Sequence, residues 1–218
     1  MKTLLQFIFL FCFIFGSGQR LVISGKSTKS KTFHFDFLIH YSIESDGNTR
    51  DVLGYVNSKN PNYFLKILRL GETDVRAKLF SAEDKETFNF KVKQSTLKGE
   101  LMFDFEYQDS SYLSYQLSYD HPYSFTKIDN KTLRLDIFSN KRRKKILESH
   151  TMKIGKYSPS IFPAYQSLFV HHSDLGSKMN YPENIFVEES VFKYEKGNDA
   201  TVKLQEVRKI DFDLPLNN

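Results

Sequence analysis

The chain reads as a mainly β protein: an antiparallel meander curved into a half-open barrel, with one short helix packed on the sheet. Three observations predict this. Apolar residues recur at every second position over several long runs, the period of a strand buried on one face. Clusters of Gly, Asn and Asp separate those runs at hairpin spacing. The composition, with 21 Phe and 12 Tyr but no Trp in 218 residues, suits strands better than helices.

The first segment is not part of the sheet. Lys2 supplies a positive start, Leu4 to Phe15 is apolar except for Gln6, and Gly16-Ser17-Gly18 offers small residues for a peptidase. That is the layout of a secretory signal peptide over residues 1–18. A run of twelve positions is too short for a membrane anchor, which needs about 20 apolar residues. The only cysteine, Cys12, lies inside this run, between Leu10-Phe11 and Phe13-Ile14, without the small residues that precede a lipidated cysteine. The processed chain is therefore expected to have no disulfide, no thiolate nucleophile and no cysteine ligand. That absence points to a bacterial periplasm or cell surface, and about 200 residues suffice for a core without covalent staples. Residues 19–32, with Gly25–Lys31 reading GKSTKSK, form a flexible basic lead-in, and 33–218 a single β-rich domain.

From Phe33 the odd positions are Phe33, Phe35, Phe37, Ile39, Tyr41 and Ile43, and the even ones His34, Asp36, Leu38, His40, Ser42 and Glu44. One face is oily and the other mostly wet. Asp46-Gly47-Asn48 turns the chain into Val52–Val56, and Asn57–Asn62, with Pro61, leads to Tyr63–Leu70. The same alternation places Phe88, Phe90 and Val92 opposite Asn89, Lys91 and Lys93, and Phe103, Phe105 and Tyr107 opposite Asp104 and Glu106. Leu113–Tyr119 and Leu133–Ile137 continue it, and strands resume at Ile185–Tyr194 and Thr201–Phe212. One segment breaks the period. Phe162, Tyr165, Leu168, Phe169 and His172 share a helical face, so a helix is expected from near Pro163 to His172, capped by Ser160 and stopped by Gly176.

Motifs for chemistry fail on their context. Gly25-Lys26-Ser27 resembles the end of a phosphate-binding loop, but Arg20 stands where the first glycine belongs. His171 and His172 are adjacent, so on a helix they diverge by about 100°. His34 and His40 lie on one strand face about 20 Å apart. His121 and His150 are isolated, and all are read as surface or interfacial histidines with no metal. There is no G-x-S-x-G elbow. The carboxylate pairs Asp104 with Glu106 and Asp211 with Asp213 alternate with core aromatics, which marks them as solvated rather than catalytic. No enzyme activity, metal or cofactor is expected, and export argues against nucleic acid as a partner.

Lys141-Arg142-Arg143-Lys144-Lys145 is the strongest charge feature, at a hairpin tip or strand start. It suits contact with lipid headgroups or another anionic membrane surface. The plainer alternative is a solvated strand edge whose cations deter edge pairing. Asn130-Lys131-Thr132 fits the N-glycosylation pattern in an expected turn, which matters only in a eukaryotic secretory pathway.

A signal peptide, a long alternating meander, one helix near Pro163–His172 and two closing strands together resemble the exported lipoprotein-carrier (LolA-like) half-barrels and kindred exported proteins of Gram-negative bacteria. The resemblance is one of pattern, without a motif that transfers site residues. It implies a curved antiparallel sheet lidded by helices over an apolar concavity that holds acyl chains. On the residues alone, Phe33, Phe35, Phe37, Phe88, Phe90, Phe103 and Phe105 are the candidates to line such a groove; filling an ordinary core is their other use. The expected function is therefore an exported, non-catalytic binding or carrier protein for a hydrophobic or amphiphilic, lipid-like ligand. A structural or adhesive cell-envelope protein is the alternative. The C-terminal Leu216-Asn217-Asn218 lacks the terminal aromatic of outer-membrane barrels, which argues against a membrane-spanning β-barrel.

Overall fold

Eleven strands, all antiparallel to their neighbours, form one sheet among the described residues. The computed structural model describes residues 31–69, 74–97, 100–112, 121–170, 179, 181, 183–194 and 199–216. The elements are β1 (Lys31–Ser45), β2 (Asn48–Val56), β3 (Tyr63–Arg69), β4 (Val75–Ser81), β5 (Glu86–Leu97) and β6 (Glu100–Tyr112). There follow β7 (Tyr123–Lys127), β8 (Thr132–Phe138), β9 (Ile146–Lys156), α1 (Phe162–Phe169), β10 (Ile185–Tyr194) and β11 (Ala200–Leu216). The expected signal peptide, most of the lead-in, the Leu113–Tyr119 strand, His171, His172 and Gly176 lie outside the described residues.

The spatial order is β6-β5-β4-β3-β2-β1-β11-β10-β9-β8-β7. Two meanders therefore meet along β1 and β11, and the edges β6 and β7 are consecutive in the chain. Laid flat, eleven strands at ~4.8 Å spacing would separate those edges by roughly 48 Å. The eleven Cα steps from Tyr112 to Tyr123 reach at most about 38 Å. The sheet is accordingly curved but not closed, a half-open barrel with one short helix against it, as the alternation predicts. Strands β4, β7 and β9 add to the runs read from the sequence.

Local chemistry explains the hairpins. Ser45 pairs with Asn48, leaving Asp46 and Gly47 as a two-residue turn with φ of 53° and 71°. Positive φ at both positions is the twist that flanking strands require. Lys31 and Thr32 belong to β1 rather than to the lead-in, paired with Leu216 and Pro215 of β11, and the Lys31 ammonium reaches Asp84 at 2.6 Å in the β4–β5 turn.

The odd residues of β1 are all buried, but they do not share one core. Phe37, Ile39, Tyr41 and Ile43 pack with Val52, β8, β9, β10 and α1. Phe33 and Phe35 pack instead with Tyr55, β3, β4, β5, Leu214 and Leu216. The changeover coincides with a register shift between Phe35 and Phe37 on β11, and such bulges bend a strand and re-aim its side chains. Tyr55 and Val56, neighbours on β2 and so pointing to opposite faces, are both buried, one in each core. One continuous sheet thus carries a core on each face.

Helix α1 begins one residue before Pro163, which occupies the first turn, where its missing N–H is harmless. Ser160 was expected to cap it, but Ile161 holds the N-cap position without a side-chain bond. The Ser160 hydroxyl instead donates to the Ile185 carbonyl at 3.1 Å and ties the helix entry to β10. Phe162, Tyr165, Leu168 and Phe169 are buried, as their helical spacing requires. Gly54 on β2 makes room for this helix: a Cβ there would stand 2.9 Å from both methyl carbons of Leu168.

Candidate functional site: a cavity where the sheet parts

Strands β2 and β3 are paired only from Leu53 to Val56, against Ile67 to Phe64. Below that, the Asn48–Val52 end of β2 continues against β1 while Leu68 and Arg69 continue against β4. The sheet parts there, and a cavity of about 670 Å3 occupies the gap. Its volume lies within the ~300–1,000 Å3 range of small-molecule sites.

Register assigns its walls to the two faces of β2. Leu38, Leu53, Ile67, Val75 and Phe103 make an apolar wall on the side of Tyr55. Arg50, Val52, Lys66, Leu168, Phe169 and Phe192 line the helix side, because Arg50 and Val52 alternate with Gly54, and Lys66 pairs with Gly54. Three cations and two carboxylates reach the cavity. Asp51 is held by His40 at 2.8 Å, and Glu206 by Arg208 at 2.8 Å. Lys66 donates to the Leu168 carbonyl at 3.2 Å. Its burial, then the Arg50 charge beside it, lower the Lys66 pKa below the usual lysine value.

The seven phenylalanines expected to line a groove are distributed differently. Phe33, Phe35, Phe88 and Phe90 are buried in one core, with Phe103 and Phe105 packed at its margin. Phe35 is fully buried, its ring 5.6 Å from Tyr63 and stacked 5.9 Å from Phe212. Phe37 lies in the other core. Of the seven, Phe103 alone borders the 670 Å3 cavity. The others pack against neighbouring rings: Phe33 against Phe88, Phe90 against Phe105, Phe35 against Tyr55, Tyr63 and Phe212, and Phe37 against Tyr157.

Lys141–Lys145 form the exposed tip of the β8–β9 hairpin. The Asn140 side chain accepts from the Arg142 N–H at 3.0 Å, Arg143 takes φ of 53°, and its guanidinium lies 5.8 Å from the Phe138 ring. The loop is therefore a shaped turn. Asp104, Glu106, Asp211 and Asp213 are exposed, as the alternation predicts. Asn130 is exposed in the β7–β8 turn.

One polar cluster was not anticipated. His150, read from sequence as a surface or interfacial histidine, is fully buried with Glu148 and Ser190. Its Nε2 lies 2.7 Å from Glu148 Oε1, its Nδ1 lies 2.7 Å from the Tyr165 hydroxyl, and that hydroxyl donates to Ser190 at 2.7 Å. Both ring nitrogens of His150 are thus engaged, Nδ1 by the Tyr165 hydroxyl and Nε2 by the Glu148 carboxylate. The signal was present: Met152 and Ile154 face inward, so counting back by two places His150 and Glu148 inward too. The cluster joins β9, α1 and β10 and is closed to solvent, so it is a fastening for the helix. No group of three metal-ligating side chains occurs among the described residues, and none of their helices is long and apolar enough to cross a membrane.

Buried phenols set a pH limit. Burial raises the Tyr41 pKa far above the usual tyrosine range, and its hydroxyl donates to the Val187 carbonyl at 3.0 Å. Tyr55 is pushed up to about 12 by burial, against the pull of Arg208. The folded state keeps protons that the unfolded chain releases near pH 10, so this stability is full below about pH 10 and falls above it. Two such groups give a slope of about 2.7 kcal/mol per pH unit. Lys66 acts in the opposite sense: stability rises as pH passes its lowered folded value towards ~10.4. Urea unfolding between pH 10 and 12 should show the steep loss, and Tyr55→Phe should remove about half of it.

The chain matches no known family model and no curated protein sequence.

Proposed function

We propose that the protein is an exported, non-catalytic carrier or binding protein for a hydrophobic or amphiphilic, lipid-like ligand. The observation that carries this reading is the 670 Å3 cavity in the gap of a half-open sheet, with Leu38, Leu53, Ile67 and Phe103 on its apolar wall. Apolar surface held open to that extent gains stability when a ligand fills it, at about 25 cal/mol per Å2 removed from water. The basic tip Lys141–Lys145 supports docking at an anionic membrane surface, where each cation contributes about 1 kcal/mol. Lipid and membrane are the partners on this reading, with periplasm or cell surface as the location.

A structural or adhesive envelope role is favoured by a different observation. The rings of Phe33, Phe35, Phe88 and Phe90 are already filled in by their neighbours, and the long edge strand β6 leaves Met102 and Tyr112 exposed. Exposed edges are surfaces for pairing with another chain.

Native mass spectrometry distinguishes the two. Protein expressed from the full-length chain and purified without detergent should carry excess mass that organic extraction releases as lipid. A bare polypeptide mass, unchanged after incubation with lipid vesicles, would sink the carrier reading and leave the structural one.

A further inference from the structure

The cavity is not uniformly apolar, and its charges are unevenly matched. Asp51 is engaged by His40 and Glu206 by Arg208, both at 2.8 Å. Neither Arg50 nor Lys66 forms an ion pair with any described carboxylate. Both border the cavity on the helix side, close enough for the Arg50 charge to weigh on Lys66. Directly across β3 and β4, Lys66 also faces Lys78, a third cation. Like charges set opposite one another in a sheet are destabilising. Half-burying one of them adds a desolvation cost. Solvent screens the exposed Arg50 and Lys78 but reaches the half-buried Lys66 less well, and one anion placed between Arg50 and Lys66 would offset both costs.

Opposite these cations stand Leu38, Leu53, Ile67 and Phe103. At roughly 30 Å3 per water-sized group, 670 Å3 holds roughly twenty such groups. That is the size of one single-chain amphiphile.

Resting on the carrier reading, we propose that the cavity binds a single-chain amphiphile with an anionic head, a carboxylate or a phosphate. Arg50 and Lys66 hold the head, and Leu38, Leu53, Ile67 and Phe103 cover the chain. Arg50 presents a planar fork of donors that matches two oxygens of such a head. Lys66 contributes a point charge already oriented by its bond to the Leu168 carbonyl.

The test is direct binding by calorimetry of laurate, dodecanol and inorganic phosphate to delipidated protein expressed from the full-length chain. Lys66→Met and Arg50→Gln are measured beside the parent, with circular dichroism to confirm that each folds. Arg50 is exposed, so its variant stays informative even if the Lys66 variant is destabilised. Laurate should bind at least about tenfold more tightly than dodecanol, the effect of one charged hydrogen bond. Either substitution should abolish most of that preference, while dodecanol binding changes little. Equal binding of laurate and dodecanol, unmoved by the substitutions, would overturn the anionic head and leave the carrier reading standing. Phosphate binding as tightly as laurate would overturn the amphiphile in favour of a small-anion site. No binding of any probe would overturn this proposal together with the carrier reading.

Discussion

Glu148→Ala is expected to lower the unfolding free energy by about 3–5 kcal/mol, the cost of removing one member of a buried, hydrogen-bonded pair. The carboxylate lies 2.7 Å from His150 Nε2, and both residues are inaccessible to water. Removing it leaves an imidazole whose polar nitrogen faces an apolar cavity. Glu148→Gln separates the effects of charge and of hydrogen bonding. A glutamine amide offers both a donor and an acceptor to Nε2, so the chain of bonds through His150 and Tyr165 survives without the carboxylate charge. Its cost should be about 1 kcal/mol, that of an ordinary exchanged hydrogen bond. Urea midpoints followed by far-ultraviolet circular dichroism measure both. Equal losses for the two variants would mean that the cluster acts through packing alone.

The second large effect belongs to Phe35. Phe35→Ala should cost about 3–5 kcal/mol, the range for emptying a fully buried aromatic site. Tyr55, Tyr63 and Phe212 all have ring centroids within 6.0 Å of Phe35, so none can fill the void without leaving another partner. Phe103→Ala removes a ring that is only partly buried and should cost less than half as much, while directly weakening any ligand in the cavity it borders. Denaturant melts and binding measured on the same two variants test the division between core and cavity. A Phe35→Ala protein of parental stability would show that the aromatic cluster is loosely filled.

The architecture was legible because its causes are local. Alternation from Phe33 to Ile43, the Asp46-Gly47 turn and the helical spacing of Phe162, Tyr165, Leu168 and Phe169 each depend on residues near one another in sequence. The cavity was not legible for the opposite reason. It exists because β2 and β3 stop pairing below Leu53 and Ile67, and it collects Leu38, Arg50, Lys66 and Phe103 from four different strands. The stripe of phenylalanines was visible as a stripe, but period two specifies only a face. The change of core between Phe35 and Phe37 coincides with a bulge in the β1–β11 pairing, which no local pattern announces. Glu148 and His150 are intermediate in kind. Their inward placement follows from Met152 and Ile154, but their tolerance there depends on Tyr165, which arrives from the helix.

The pairing of β1 with β11 has a consequence for how the molecule is made. These neighbours are the first and last described strands, with Lys31 opposite Leu216, so their contact closes a loop of nearly the whole domain. Such nonlocal contacts slow folding, because the entropy of loop closure is lost before the contacts reward it. The hairpins of β2–β6 and β7–β9 require only short loops and are free to form first. Until residues 200–216 are available, β1 and β10 each present a bare edge, and the two half-sheets remain separate. The interval before the last strand docks is therefore when the chain is most exposed to aggregation, and when a holding chaperone has the most to protect.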